Sequence, residues 1–389
     1  MKPKMPILLL VFALLLAACG NTGRPPGARQ DGVSPTGTTG ETSAAAQPTT
    51  SPTEAGAGPT GTTSAAADVT GTAGPIKKLN VTLFVNGVTG DKSFFDSAVA
   101  GVRRAERELG AHVRVVEEPT AANWEPALRR IAQGDSDIIM LGTFQLPDIL
   151  NSIAPDFPEK KFIFFDATVE QPNVANITYA QNEGSFLAGA LAGCVVNSDL
   201  PNLSGEKIIG AVGGEDINVI NDFIVGYEQG AQYVDPEIEV RRSYIGGQNA
   251  YNDPAKGKEL ANAQFDDGAN VVFQVAGGSG FGVIDAAKDQ QRYAIGVDSN
   301  QNGVAPGVVL SSMLKRVDNS VFDLIQMEAT GSLRTGKTYP YGIQNNGVGL
   351  AEDEYYKKHV PEQCQQTVDK AKQDIASKKV RVKTAFGGQ

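Results

Sequence analysis

From Leu79 onward, short β-branched runs alternate with amphipathic segments, and few architectures accept that alternation. "LNVTLFVNG" reads as a strand, and "SFFDSAVAGVRRAERELG" as a helix stopped by Gly110. "HVRVVEE", "SDIIMLGT" and "KKFIFFDAT" read as further strands, separated by helical segments at "NWEPALRRIAQG" and "QLPDILNSIAPD". After "GSFLAGALAGCVV", read as a buried helix, the pattern restarts. "KIIGAVGG", "EVRRSYIGG", "ANVVFQVAG", "RYAIGVDS" and "GVVLSSML" read as strands with helical segments between them. Each βαβ crossover keeps consecutive strands parallel and lays a helix on the sheet. The repetition occurs twice, broken near residues 196–206. The expected fold is therefore α/β, with two doubly wound parallel-sheet lobes and a cleft between them. About 315 residues from Ile76 onward suit two lobes better than one core.

In open parallel sheets, ligands bind beyond the carboxyl ends of the strands. The residues at those ends are Asn86 to Phe95, Gly142 to Phe144, Asp166, Gly213 to Asp216, Gly277 to Gly280, and Asp298. Both lobes contribute, so hinge closure would enclose a ligand held by both. The glycine-rich loop at residues 277–282 does not match the G-x-G-x-x-G dinucleotide fingerprint, and it lacks the Gly-Lys-Ser/Thr ending of a phosphate-binding loop. Two readings stay open for it: close approach of backbone amides to a neutral hydroxylated ligand, or a plain tight turn.

Catalytic chemistry is poorly supplied. The chain has two His and no H-E-x-x-H, Cys-x-x-Cys or G-x-S-x-G motif. No enzyme activity, metal or cofactor is expected. A formal net charge of −10 argues against nucleic-acid binding, which needs a basic face.

Residues 1–18 carry two lysines and the apolar run "MPILLLVFALLLAA", as a secretory signal does. Leu16-Ala17-Ala18-Cys19 resembles a bacterial lipobox, which implies that Cys19 becomes the lipidated first residue of the mature chain. Residues 19–75 then read as an anchor Cys followed by a Gly/Thr/Ser/Ala/Pro linker. Such a segment buries too little apolar surface to offset the entropy of ordering. As a flexible coil of about 55 residues it spans roughly 40 Å. Of the three Cys, Cys194 and Cys364 then remain. They either pair outside the cytoplasm or stay as two buried thiols, and their sequence positions do not distinguish the two.

Five blocks occur in order: "GDKSFFDSAVAG", "FFDATVEQPNVANITYAQNEGSFLAGALAG", "FQVAGGSGFGVIDAAK", "IGVDSNQ" and "SSMLKRVD". Together they resemble the basic membrane protein family, purine-nucleoside-receptor-like bacterial lipoproteins, over essentially the whole folded region. The resemblance implies a type I periplasmic-binding-protein fold whose lobes are joined by a three-crossover hinge. It implies a nucleoside ligand, an ABC permease as partner, and a lipid-anchored monomer on the extracytoplasmic face of the cell membrane. The lobes are then expected at 76–196 with returning segments at about 316–337 and 352–389, and at 197–315 with about 338–351.

The same resemblance implies roles for individual residues. Asp298 accepts hydrogen bonds from two ribose hydroxyls, Lys315 donates to a ribose oxygen, and the Gly277-Gly278 backbone completes that end. Phe94 stacks on the base, with Phe273 or Phe223 as its partner from the other lobe. Asp166 accepts a base N–H, and Asp91 belongs to the same block as Phe94. Read without the resemblance, Lys315 is a solvated surface lysine, Asp298 a helix cap, and Phe223 a core residue. Two positions depart from the family: Asn86 stands where an Asp is usual, and Phe95 where an Asn is. A ligand-sensing surface lipoprotein of the same fold, binding a sugar or other small signalling molecule, is the alternative function.

Overall fold

The computed structural model describes residues 77–387. The expected signal segment, Cys19 and the linker to residue 75 lie outside the described residues. The chain builds β1 (Asn80–Val85), α1 (Phe94–Leu109), β2 (His112–Glu117), α2 (Trp124–Ala132), β3 (Ile138–Gly142), α3 (Pro147–Ile153), β4 (Lys161–Phe165) and β5 (Val174–Tyr179). It crosses at Ala180 into α4 (Gln181–Val196), β6 (Ile208–Gly213), α5 (Asn218–Val234), β7 (Glu239–Tyr244), α6 (Pro254–Asp266), β8 (Val271–Val275), α7 (Gly280–Asp289), β9 (Tyr293–Asp298) and β10 (Val309–Lys315). It returns at Arg316 into α8 (Val317–Ala329) and β11 (Lys337–Tyr341), then crosses once more into β12 (Val348–Leu350), α9 (Glu354–His359) and α10 (Glu362–Ala376).

The strands form two six-stranded sheets, ordered β11-β5-β4-β3-β1-β2 and β12-β10-β9-β8-β6-β7. All pairings are parallel except β10 with β12. Two α/β lobes and three crossovers make this the type I periplasmic-binding-protein fold. Residues of α2 and α3 cover one face of the first sheet, and those of α6 and α7 one face of the second. A continuous core on the other faces is shared by α1, α4, α5, α8 and α10.

The lobe boundaries differ from those expected in three places. The first crossover lies at Ala180, not near residues 196–206, because α4 packs on α5 and on the second sheet. A Cβ on Gly189 would lie 1.9 Å from the Tyr227 carbonyl oxygen, so the two helices meet backbone to backbone only because that residue is Gly. Strand β11 belongs to the first sheet, beside β5, so the return reaches residue 341 rather than 337. The expectation that residues 352–389 sit on the first lobe is also corrected: as far as they are described, they lie on the second. Helix α10 buries Cys364, Val368 and Ala371 on α4, and a disulfide joins Cys364 to Cys194 of that helix.

Strands β5, β11 and β12 are not legible as strands in the sequence. β5 carries a buried Asn176 whose side chain bonds both backbone groups of Val169. β11 contains Pro340, which a sheet tolerates at its edge. β12 is only three residues long.

Candidate functional site

In both sheets the strand order reverses between the first and the third strand of the lobe, at β1/β3 and β6/β8. The crevice at such a switch point is where parallel sheets hold ligands. Asn86 and Thr143 stand at the first, and Gly213 with the turn after β8 at the second.

Lys315, at the end of β10, is 1 % exposed. Its ammonium is paired with the carboxylate of Asp166, which follows β4 in the other lobe. Three rings surround the charge: Tyr179 at 5.1 Å, Phe223 at 5.2 Å and Phe94 at 5.4 Å from Nζ. Such distances are those of cation–π contacts. Asp166 and Asp298 both adopt left-handed backbone, at φ 73° and 63°. Asp tolerates that conformation better than most residues, and it turns the chain sharply at the strand end. Burial pushes both carboxyls up; Asp298 reaches about 6, against the opposing pull of Lys315 and the Ser93 hydroxyl. The site therefore holds two carboxyl groups and one ammonium away from water, a set suited to ligand hydroxyls and N–H groups.

A second interlobe seam lies beside it. Ser93 Oγ donates to Asp298 Oδ2 at 2.6 Å, and Ser299 Oγ donates to the Ser93 carbonyl at 3.1 Å. Gln301 Nε2 donates to the Lys92 carbonyl at 3.2 Å, while Gln301 Oε1 accepts from Gln274 and from the Val297 amide. At the far end, the Phe144 and Tyr251 rings meet across the cleft, 6.4 Å between centroids.

The residues expected at the site divide into three groups. Asp166, Asp298, Lys315, Phe94 and Phe223 come together as described. Asn86 is buried at the mouth of β1; its Nδ2 donates to Thr143 and Gln145, and its Oδ1 is a buried acceptor with no partner. Phe95 packs on Gly87 and, edge to face, on Phe94.

The remaining positions make contacts within the protein. Asp91 caps α1 from outside, accepting the amides of Ser93, Phe95 and Asp96. Phe273 corrects an expectation: it lies in the middle of β8, fully buried, with its ring 5.1 Å from that of Tyr227, so it fills core and faces no cleft. Gly277 and Gly278 pack on the protein's own Tyr251 segment; a Cβ at Gly278 would come within 3.0 Å of the Tyr251 carbonyl oxygen. The glycine-rich loop is thus a turn that admits Tyr251.

Tyr251, Tyr179 and Gln301 stand at the candidate site without having been expected there, and Ser93 was expected only as part of the strand-end stretch Asn86 to Phe95, with no role of its own. Ser93 and Gln301 stand inside the sequence blocks that carry the family resemblance, yet being neutral and non-aromatic they give no signal of their own. Tyr251 is an aromatic residue isolated in the polar run "GGQNAYNDP", which is a usable signal. Its hydroxyl is buried without a partner.

A cavity of about 720 Å³ opens beside this cluster, bounded by Phe144, Asp166, Tyr179 and Gln181 and by the start of α5. Its size falls in the roughly 300–1,000 Å³ range of small-molecule sites. Among the described residues there is no group of three or more His, Cys, Asp or Glu placed to hold a metal ion, and no helix long and apolar enough to cross a membrane.

Two hinged α/β lobes with charged and aromatic groups converging in the cleft define a solute-binding protein. The chain belongs to the family of PnrA-like ABC transporter substrate-binding proteins, whose model matches residues 78–385. That family binds substrates for transport and is not one of enzymes. The chain is 31 % identical over 290 residues to "Basic membrane protein D" of Borreliella burgdorferi, covering 72 % of this chain and 81 % of that one. It is 30 % identical over 340 residues to "ABC transporter nucleoside-binding protein BmpA" of Lactococcus lactis, covering 81 % and 92 %. Among solved structures it is similar to an ABC transporter solute-binding protein of Aeropyrum pernix, with a TM-score of 0.71, 28 % identity, and coverage of 80 % and 94 %.

Proposed function

We propose that this substrate-binding protein captures nucleosides, purine nucleosides among them, in the interlobe cleft and presents them to an ABC permease. The observation that carries the reading is the buried Asp166–Lys315–Asp298 cluster, spanning both lobes with aromatic rings around it. A ribose offers vicinal hydroxyls to Asp298, and Lys315 has three donor hydrogens, of which Asp166 needs one. A planar base then meets Phe94 and Phe223, gaining roughly 0.5–1.5 kcal/mol per stacked ring beyond area burial. Asp166 and the unpartnered Oδ1 of Asn86 supply acceptors for base N–H groups. The name of the Lactococcus relative points the same way.

Native mass spectrometry of residues 76–389, followed by calorimetry with inosine, guanosine, adenosine, uridine and ribose, tests this. Binding of nucleosides well above ribose is the expected result. Affinity for ribose or another sugar alone would overturn it in favour of a sugar-binding protein.

The attachment is proposed from the lipobox at Leu16-Ala17-Ala18-Cys19, and two Pyrococcus relatives carry "lipoprotein" in their names. Cys19→Ser is expected to move the protein from the membrane to the soluble fraction while leaving ligand affinity unchanged. A Cys19→Ser protein that still sediments with membranes would remove the lipid anchor.

A further inference from the structure

After α10 the chain runs back along α5 and the start of α4, and residues 381–386 are strapped there by side chains. Gln229 holds both sides of the segment: Nε2 donates to the Arg381 carbonyl at 3.1 Å, and Oε1 accepts from the Lys383 amide at 2.7 Å. Asn182 Nδ2 donates to the Lys383 carbonyl at 2.9 Å. Asp222, 1 % exposed, accepts from Thr384 Oγ1 at 2.6 Å and from the Ala385 amide at 2.9 Å. A carboxylate so deeply placed needs those donors, and the strap supplies them. Asp222 also precedes Phe223, whose ring faces Lys315.

Immediately after this anchor comes Phe386. It is 52 % exposed, one of three large apolar residues so open among those described. It nevertheless lines the same cavity as Asp166 and Tyr179. Its amide is also held, by Thr384 Oγ1 at 3.2 Å. An exposed aromatic ring on a pinned backbone, facing a cavity that leads to a buried polar cluster, is a preformed apolar wall. A ring so placed gains burial only when something enters the cavity beside it.

We propose that Phe386 is a ligand-contacting residue: it forms one wall of the cavity beside the cluster and covers the base of a bound nucleoside, with Asp222 and Thr384 positioning it. The inference rests on the nucleoside reading of the cleft. Phe386 retards departure of a planar heteroaromatic group and makes no demand on the ribose, so its removal acts on dissociation more than on association.

The test is stopped-flow and calorimetric binding of inosine to wild type, Phe386→Ala, Phe386→Trp and Thr384→Val, with thermal melts to show that each variant is folded. Phe386→Ala is expected to dissociate inosine about five- to tenfold faster, Phe386→Trp to stay within twofold of wild type, and Thr384→Val to shift in the direction of the Ala variant. Ribose affinity is expected to be the same in all four. Wild-type binding of inosine with an unchanged dissociation rate in Phe386→Ala overturns the role of Phe386 and leaves the nucleoside reading standing. Failure of wild type to bind inosine or any other nucleoside overturns that reading, and the ligand assigned to Phe386 falls with it.

Discussion

Lys315→Met is expected to destabilise the folded protein by about 3–5 kcal/mol at pH 8, the loss that follows when a buried ion pair is deprived of one partner. Met fills most of the lysine's volume, so the loss comes from charge and not from a cavity. Asp166, and Asp298 beside it, would be left in a site that burial already makes unfavourable for carboxylates. Their protonation relieves the defect. Without the opposing ammonium both carboxyls rise further, so the penalty shrinks as the pH is lowered through 6 toward 5. Urea unfolding of wild type and variant at pH 8 and pH 5 reads this directly. Equal unfolding midpoints at pH 8 would mean that Lys315 does not neutralise the cleft.

Asp298→Asn is expected to act in opposite directions on stability and on binding. Burial raises the Asp298 carboxyl from 3.8 to about 6 in the folded state. The folded protein therefore holds that proton more tightly than the unfolded chain does. Its favourable contribution is complete below about pH 3.8 and is lost as the pH rises to about 6. Above that window the ionised group costs about 3 kcal/mol relative to a neutral one, since every tenfold gain in proton affinity on folding corresponds to roughly 1.4 kcal/mol. The amide does not titrate, so the variant should melt higher than wild type at pH 7.5 and lose that advantage near pH 4. Nucleoside affinity should fall by more than tenfold, because hydrogen bonds to a charged acceptor contribute roughly 1.5–3 kcal/mol each. A variant both more stable and weaker in binding marks a group kept for its ligand. Unchanged affinity would remove Asp298 from the ribose end of the site.

Much of the site was legible because parallel α/β sheets leave little freedom about where a ligand can sit. Strand ends are visible as β-branched runs stopped by turn residues, and Asp166 and Asp298 stand at such ends, whereas Lys315, which ends β10, was singled out only by the family resemblance. Aromatic residues are harder to place. Phe94 opens a helix at the cleft, whereas Phe273 sits two residues before the end of β8 and points into the core. Sequence shows both as Phe beside glycine-rich or polar segments, and only the strand's register separates them. The glycine-rich loop carries the same lesson: its glycines make room for Tyr251, a neighbour that no local pattern names.

The sequence by itself determined two α/β lobes, the strand ends that carry the site, and the family. The lobes and strand ends rest on periodicity and the family on the resemblance of five ordered blocks, and both are read from local segments. Tertiary structure alone decided that α4 belongs with the second sheet, and that residues after α10 return to the cleft and bring Phe386 to its edge. A helix buried nearly all round, as α4 is, carries no directional signal about which sheet it covers. Its partner is set by contact with α5, where Gly189 lets the two backbones touch. The pairing of Lys315 with Asp166 is of the same kind: 149 residues apart in the chain, they meet because two sheets face each other across a hinge.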